Sequence, residues 1–269
     1  MSSTKLEGKV AIVTGATQGL GADIARELAL AGVRKVFVVG RGREAGLAVA
    51  AAIGPNAAAI EADIGDDAAI DRCIEIALKE TGAIDVLVNS ACIYDDAGLD
   101  STREQWTKTL NINLVSAAIF TQKVAPHMNA GAVVINLGSI GGKFGAAGRA
   151  IYPASKAALL QITKNFAVTL APRQIRVLSV SPAWTWSPAV ERLAEGSMER
   201  ADQVAAITHP LGRAGRGDEV GRAVVFAVSD DASWMTGTDL AVDGGFSALG
   251  PDQGLSAKDW FARVKRTDE

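Results

Sequence analysis

An apolar run, Lys9 to Val13, passes directly into Thr14-Gly15-Ala16-Thr17-Gln18-Gly19-Leu20-Gly21 and then into an amphipathic segment, Ala22 to Ala31. A strand, a glycine turn and a helix in immediate succession leave few architectures open. Gly15 permits a tight turn, and Gly19 and Gly21 let the backbone approach a pyrophosphate at the positive end of the helix. Thr17, Gln18 and Leu20 lie inside the same turn and belong to the same candidate dinucleotide site.

The pattern then repeats. Val33 to Val39, Ala57 to Glu61, Ile84 to Val88 and Ala132 to Leu137 read as four further strands, each separated from the next by a helical segment. Gly54 closes an alanine-rich helix, and Ile70, Ile74, Ala77 and Leu78 give the next helix an apolar stripe in which Cys73 is structural. Strand and helix alternate without a linker or a low-complexity break. This predicts an α/β fold: one Rossmann-type doubly wound parallel sheet, flanked by helices on both faces, over residues 1–247. Residues 248–269 form a C-terminal extension with Trp260, Phe261 and Val264 at helical spacing. Such a tail crosses to a neighbouring subunit, closes over a pocket or frays, and the sequence leaves all three open.

Composition narrows the partners. The chain has 269 residues, 48% of them hydrophobic and 21% charged, which supports a large core in a globular protein. A formal net charge of -3 gives no electrostatic case for nucleic acid or an anionic membrane, so a small-molecule substrate is expected. Cys73 and Cys92 are too few for a disulfide framework and fit a reducing compartment. No secretory pattern and no apolar run of membrane-spanning length is read, which predicts a cytoplasmic protein. His127 and His209 stand apart, no spacing suggests a metal site, and both read as surface or packing residues.

Ligands of open α/β sheets lie beyond the carboxyl ends of the strands, so those ends carry the candidate chemistry. After the second strand come Gly40-Arg41-Gly42-Arg43, where NAD-binding folds commonly place an acidic residue on the ribose hydroxyls. Arg41 can instead pair with a 2′-phosphate, which favours NADP(H), with NAD(H) as the second reading. Asp63, followed by Ile64, is placed either to accept from the adenine amine or to cap the helix beginning near Asp66. Asn89-Ser90-Ala91-Cys92 closes the fourth strand, with Tyr94 just beyond it. Trp106 to Met128 reads as one long helix containing Asn111 and Asn113, where an Asn can bend the helix and hold a water.

Tyr152-Pro153-Ala154-Ser155-Lys156 opens a further helix. Positions i and i+4 share a helix face, so the phenol and the ammonium can point into one cleft. A neighbouring ammonium favours the phenolate, which makes Tyr152 a candidate proton-transfer group. From Ala183 to about Pro210 the chain lacks strand character and carries Trp184, Trp186, Leu193 and Met198. These suit an apolar or cyclic substrate, or they pack the segment onto the core.

Taken together, Thr14-Gly15-x-x-x-Gly19-x-Gly21, Asp63, Asn89 to Cys92, Asn113, Ser139, Tyr152-x-x-x-Lys156, Ser181-Pro182 and Val242-Asp243-Gly244-Gly245 resemble the short-chain dehydrogenase/reductase family over about residues 6–247. The resemblance implies a catalytic set. Tyr152 is its acid or base, Lys156 holds the nicotinamide ribose, Ser139 hydrogen-bonds the substrate oxygen, and Asn113 anchors a water that links Lys156 to solvent. It also implies cofactor contacts from Asn89, Pro182 and a hydroxyl from Thr185 or Ser187, a covering segment at 183–210 with Tyr94, Trp184 and Trp186 toward the substrate, and a homotetramer built on the Trp106 and Tyr152 helices. The expected activity is NADP-dependent interconversion of a secondary alcohol and a ketone. The alternatives are NAD-dependent oxidation of a cyclic alcohol or diol and, in another class, a cofactor-sensing binding protein. Two positions depart from the family pattern: Cys92 and Ala183 stand where glycines are usual.

Overall fold

A computed structural model of the chain describes residues 5–263. Its strands are β1 (Val10–Thr14), β2 (Lys35–Gly40), β3 (Ala57–Glu61), β4 (Val86–Asn89), β5 (Val133–Leu137), β6 (Arg176–Pro182) and β7 (Asp239–Val242). All pair in parallel in the order β3-β2-β1-β4-β5-β6-β7. β1 and β5 are buried along their whole length, as expected of parallel strands covered on both faces. The chain reverses direction across the sheet between β1 and β4, and this switch point places the ends of β1 and β4 side by side on one rim.

The helices are α1 (Gly19–Leu30), α2 (Arg43–Ile53), α3 (Asp67–Thr81), α4 (Arg103–Leu110), α5 (Ser116–Val124), α6 (Ile151–Leu170), α7 (Pro188–Leu193), α8 (Met198–Ala205), α9 (Gly217–Val228) and α10 (Ala257–Arg263). On one face of the sheet, Ile70, Cys73, Phe120 and Ala167 join a core with Ile12, Leu87 and Val134. On the other, Ile24, Leu28, Val220 and Val224 pack on Val13, Val88 and Ile135. Successive strand residues point to opposite faces, which is why β1, β2, β4, β5 and β6 each feed both cores. Among the described residues, no helix is long and apolar enough to cross a membrane.

Two sequence expectations are refined here, for the long helix and for Asp63. The long helix expected from Trp106 to Met128 starts earlier, at Arg103, and is interrupted by a π-wound turn over Asn111–Val115. The Ser116 hydroxyl donates to the Asn111 carbonyl at 2.9 Å across that turn, stabilising the wider winding. Asp63 does not cap α3: Asp66 does, accepting from the Ala68 N–H at 3.0 Å, while Asp63 accepts from Gly65. The segment read as lacking strand character contains α7 and α8. In the extension, Trp260 and Phe261 lie on α10, while Val264 is outside the described residues.

Candidate active site

The cofactor turn is built from backbone packed on backbone. Gly15 has φ +65, and a Cβ there would sit 2.5 Å from the Ala91 Cα, so the glycine turn lies directly on the turn after β4. Thr14 joins the two turns: its Oγ1 accepts from the Ser90 and Ala91 N–H groups at 3.1 and 3.2 Å. A Cβ at Gly21 would strike the Gly15 carbonyl oxygen, so only glycine lets α1 begin this close to the turn. Gln18 precedes α1 without a side-chain cap, leaving the N–H groups at the helix start available to an anion. Gly19 faces the ring of Pro188, which brings the covering segment over this turn.

At the end of β2, a Cβ on Gly40 would lie 2.7 Å from Thr17 Cγ2. The chain brings no acidic side chain there, and one would have to displace the Thr17 methyl. Arg41 is exposed beside it, and a cavity of about 130 Å³ next to Gly40 is lined by Arg43, Leu47 and Glu61, with Glu61 opposite Gly40 in the β2/β3 register. Asp63 and Ile64 follow β3 on the same rim, with Ile64 buried in the core.

Asn89 ends β4 with its side chain turned inward. Its Nδ2 donates to Asn136 Oδ1 at 2.9 Å and Thr121 Oγ1 at 3.1 Å, and Asn136 passes the chain on to Thr163. The side chain thus serves a buried polar ladder between β4, β5 and α6. Asn113, in the π-wound turn, holds Ile93 at both backbone groups: its Oδ1 accepts from the Ile93 N–H at 2.8 Å and its Nδ2 donates to the Ile93 carbonyl at 3.0 Å. The same Nδ2 donates to Ser155 Oγ at 3.2 Å, and Ser155 donates to the Tyr152 carbonyl at 2.7 Å. The irregular winding is what aims Asn113 between β4 and α6.

Tyr152 and Lys156 are both buried in the first turns of α6. Lys156 Nζ lies 5.7 Å from the centre of the Tyr152 ring and donates to the Leu137 carbonyl at 2.6 Å. Ser139 follows β5, and its Oγ accepts from the Gly141 N–H at 3.0 Å. A Cβ on Gly141 would lie 3.3 Å from Ser139 Oγ and 3.6 Å from Tyr152 Cε1, so hydroxyl and phenol ring flank the same point. A phenol, an ammonium and a hydroxyl converge where an alcohol or carbonyl oxygen can sit.

Known proteins resemble the chain over most of its length. A family model described as enoyl-(acyl carrier protein) reductase matches residues 15–247. A 3-oxoacyl-[acyl-carrier-protein] reductase of Thermotoga maritima is 33% identical over 246 residues, covering 90% of this chain and 98% of that protein. The cis-4-hydroxycyclohexanecarboxylate dehydrogenase of Sinomonas cyclohexanicum is 34% identical over 250 residues, covering 90% and 97%. Among solved structures, the 3-ketoacyl-(acyl-carrier-protein) reductase of Brucella melitensis complexed with NADH superposes with a TM-score of 0.80 at 33% identity, covering 90% and 99%.

The chain is a short-chain dehydrogenase/reductase. Like its family, it is an NAD(P)-dependent oxidoreductase acting on CH–OH or C=O groups. In this dehydrogenase/reductase, Thr185 is buried and its hydroxyl donates to the Ala183 carbonyl at 3.2 Å, while Ser187 caps α7 by accepting from the Val190 N–H. Trp186 packs against Ala194, Ala201, Ala205 and Ala214 under α7 and α8, the packing alternative for that residue. Trp184 is 41% exposed and stands 5.5 Å from the His209 ring, which in turn meets Phe246, and Phe246 meets Phe144. His209 is buried with Nδ1 on the Ala205 carbonyl, so it is a packing residue. Tyr94 stacks on Tyr152 with ring centres 4.7 Å apart. Desolvation, then Cys92 and Tyr152 beside it, push the Tyr94 phenol well above its usual range. Among the described residues no acidic, thiol or imidazole cluster could hold a metal.

Several residues of the site escape sequence reading. Thr14 and Ser155 sit inside the glycine-turn and Tyr152-x-x-x-Lys156 motifs but Asn136 outside any, and all three act through partners brought from other elements. Asp96 is the clearest case. It accepts from backbone N–H groups of Ala150 and Tyr152, far along the chain, and nothing in Asp95-Asp96 marks that destination.

Proposed function

We propose that the chain interconverts a secondary alcohol and a ketone with NADP(H), Tyr152 moving the proton. The convergence of the Tyr152 ring and Ser139 Oγ beside Gly141, with Lys156 next to the ring, carries this reading. Ser139 donates to the substrate oxygen, and Tyr152 gives a proton to that oxygen in reduction or takes it in oxidation. Lys156 stabilises the phenolate form and reaches the nicotinamide ribose, and Asn113 holds the chain that leads protons from Lys156 to solvent. The nicotinamide supplies or accepts the hydride. The backbone around Gly15, Gly19 and Gly21 would hold the pyrophosphate, Asp63 the adenine, and Pro182 and Thr185 the nicotinamide side.

NADP(H) is favoured because Gly40 brings no acidic ribose anchor and Arg41 is exposed beside it. NAD(H) is the second reading, supported by Glu61 next to Gly40 and by the NADH held in the similar Brucella protein. Parallel fluorescence titrations with NADPH and NADH decide between them. We expect NADPH to bind more tightly, with the preference lost in Arg41→Ala; tighter NADH binding refutes the assignment. Tyr94 on the Tyr152 ring, and Trp184, Phe246 and Phe144 linked through His209, suit an apolar or cyclic substrate, and the cyclohexane acid named for the Sinomonas relative makes cyclic ketones the first to screen. Tyr152→Phe should cut turnover by about 10²–10⁴-fold with cofactor binding kept. Assembly as a homotetramer on α4–α5 and α6 accords with Val115 and Val168 being exposed there, and light scattering tests it.

A further inference from the structure

The helix that carries Tyr152 has no cap of its own. Ala150 precedes it and offers no side-chain acceptor, no acidic residue lies in the first turn, and Pro153 has no N–H to satisfy. The free N–H groups at this helix start all go to one distant carboxylate. Asp96 accepts from the Ala150 N–H with both oxygens at 3.0 Å and from the Tyr152 N–H at 2.9 Å, across 54 and 56 positions of chain. The Ile151 N–H bears on the same group. Burial pushes the Asp96 carboxyl up, but the N–H groups of Gly98, Tyr152, Ala150 and Ile151 outweigh it and hold it below the usual carboxylate range.

The segment that delivers Asp96 is itself fixed on both sides. Asp95 is held on α4 by Lys108 Nζ and Gln105 Nε2, each at 2.9 Å, and its carbonyl accepts from Thr109 Oγ1 at 2.9 Å. Ile93 is held at both backbone groups by Asn113. From this anchored stretch Tyr94 stacks on the Tyr152 ring while Asp96 binds the Tyr152 backbone. The catalytic phenol is gripped at ring and backbone by residues two positions apart.

From this geometry we infer that Asp96 is a positioning residue for Tyr152, setting both where the phenol sits and how readily it ionises. The inference rests on the oxidoreductase reading only for its effect on turnover. The charged groups bearing on the phenol are Lys156 on its own helix, Tyr94 and Cys92 from the exit of β4, and the Asp96 carboxylate at the helix start. An anion at that start offsets the positive end of α6, so removing its charge makes the phenolate easier to form.

The test titrates Tyr152 directly, as the tyrosinate absorbance difference between each protein and its Tyr152→Phe counterpart, so no substrate need be known. Asp96→Asn keeps an acceptor and removes the charge. Its tyrosinate curve is expected to move to lower pH by about half a unit, from Coulomb interaction across several ångströms. An unmoved curve, or one moved to higher pH, overturns the inference. Asp96→Ala removes the cap as well. With cyclohexanol and NADP⁺, its kcat should fall about tenfold or more with NADP⁺ affinity within about twofold, a misplacement effect, whereas an unchanged kcat overturns it. If the alanine variant does not fold, the asparagine titration decides. If Tyr152→Phe turns over cyclohexanol as well as the wild type does, the acid–base reading of Tyr152 falls, and the titration still judges Asp96 separately.

Discussion

The helix that carries Tyr152 and the helix that follows the covering segment begin in opposite ways. α9 supplies its own cap: Glu219, in its first turn, accepts from the Arg216 N–H at 2.7 Å and is gripped by Arg213 at 2.6 and 2.9 Å, all within seven residues of chain. α6 takes its cap from Asp96, across the site. A local cap steadies one helix and says little about anything else. A distant one makes the start of α6 depend on the turn after β4, so that turn, the Tyr152 phenol and the π-wound helix stand or fall together.

The sharpest way to break that contrast is Asn113→Leu. It leaves the Ile93 N–H and carbonyl and the Ser155 hydroxyl short of a partner in a buried site, at about 3 kcal/mol or more for the set. Urea unfolding should show that loss, and kcat should fall by at least about a hundredfold because Ser155 no longer ties Tyr152 to β4. A loss below about 1 kcal/mol would mean that Asn113 does not hold these elements together.

Glu219→Gln probes the local cap. The Arg213 guanidinium holds the Glu219 carboxyl down at about 2. A lowered folded-state value means the stabilisation is present above the unfolded carboxylate range, near 4.5, and is lost as pH falls toward 2. At pH 7 the substitution should cost about 1–2 kcal/mol after solvent screening, and the gap in Tm to the wild type should shrink at pH 3. Turnover should change less than about twofold, since the cap is confined to α9; a large fall in kcat would erase the distinction between the two helices.

The smallest effect belongs to Lys108→Ala. Its pair with Asp95 is exposed, and Gln105 and Thr109 still hold that residue, so unfolding should shift by no more than about 0.5 kcal/mol. A shift of 2 kcal/mol would make this surface pair, rather than Asn113, the main support of the segment that carries Asp96.

Legibility follows the same division. The glycine turn at Gly15 to Gly21, the strands and the pair Tyr152 and Lys156 are visible because each depends on residues within a few positions of one another. The inward turn of the Asn89 side chain, the packing of Trp186 under α7 and α8 and the buried ring of His209 are not, because an Asn, a Trp or a His carries no mark of the face it will meet. Asp63 and Asp66 show the limit at close range. Both are ordinary capping residues three positions apart, and only the path of the chain between β3 and α3 selects Asp66.

By itself, then, the sequence determined the order of strands and helices, the parallel sheet they require, and the glycine turn at the end of β1, since backbone sterics and apolar periodicity act locally. The tertiary structure alone decided what caps the start of α6, where Asn113 in the π-wound turn is aimed, and which carboxylate holds Tyr152. The start of α6 and the aim of Asn113 rest on hydrogen bonds between residues tens of positions apart, and a donor buried by folding takes whichever acceptor the packed elements bring to it.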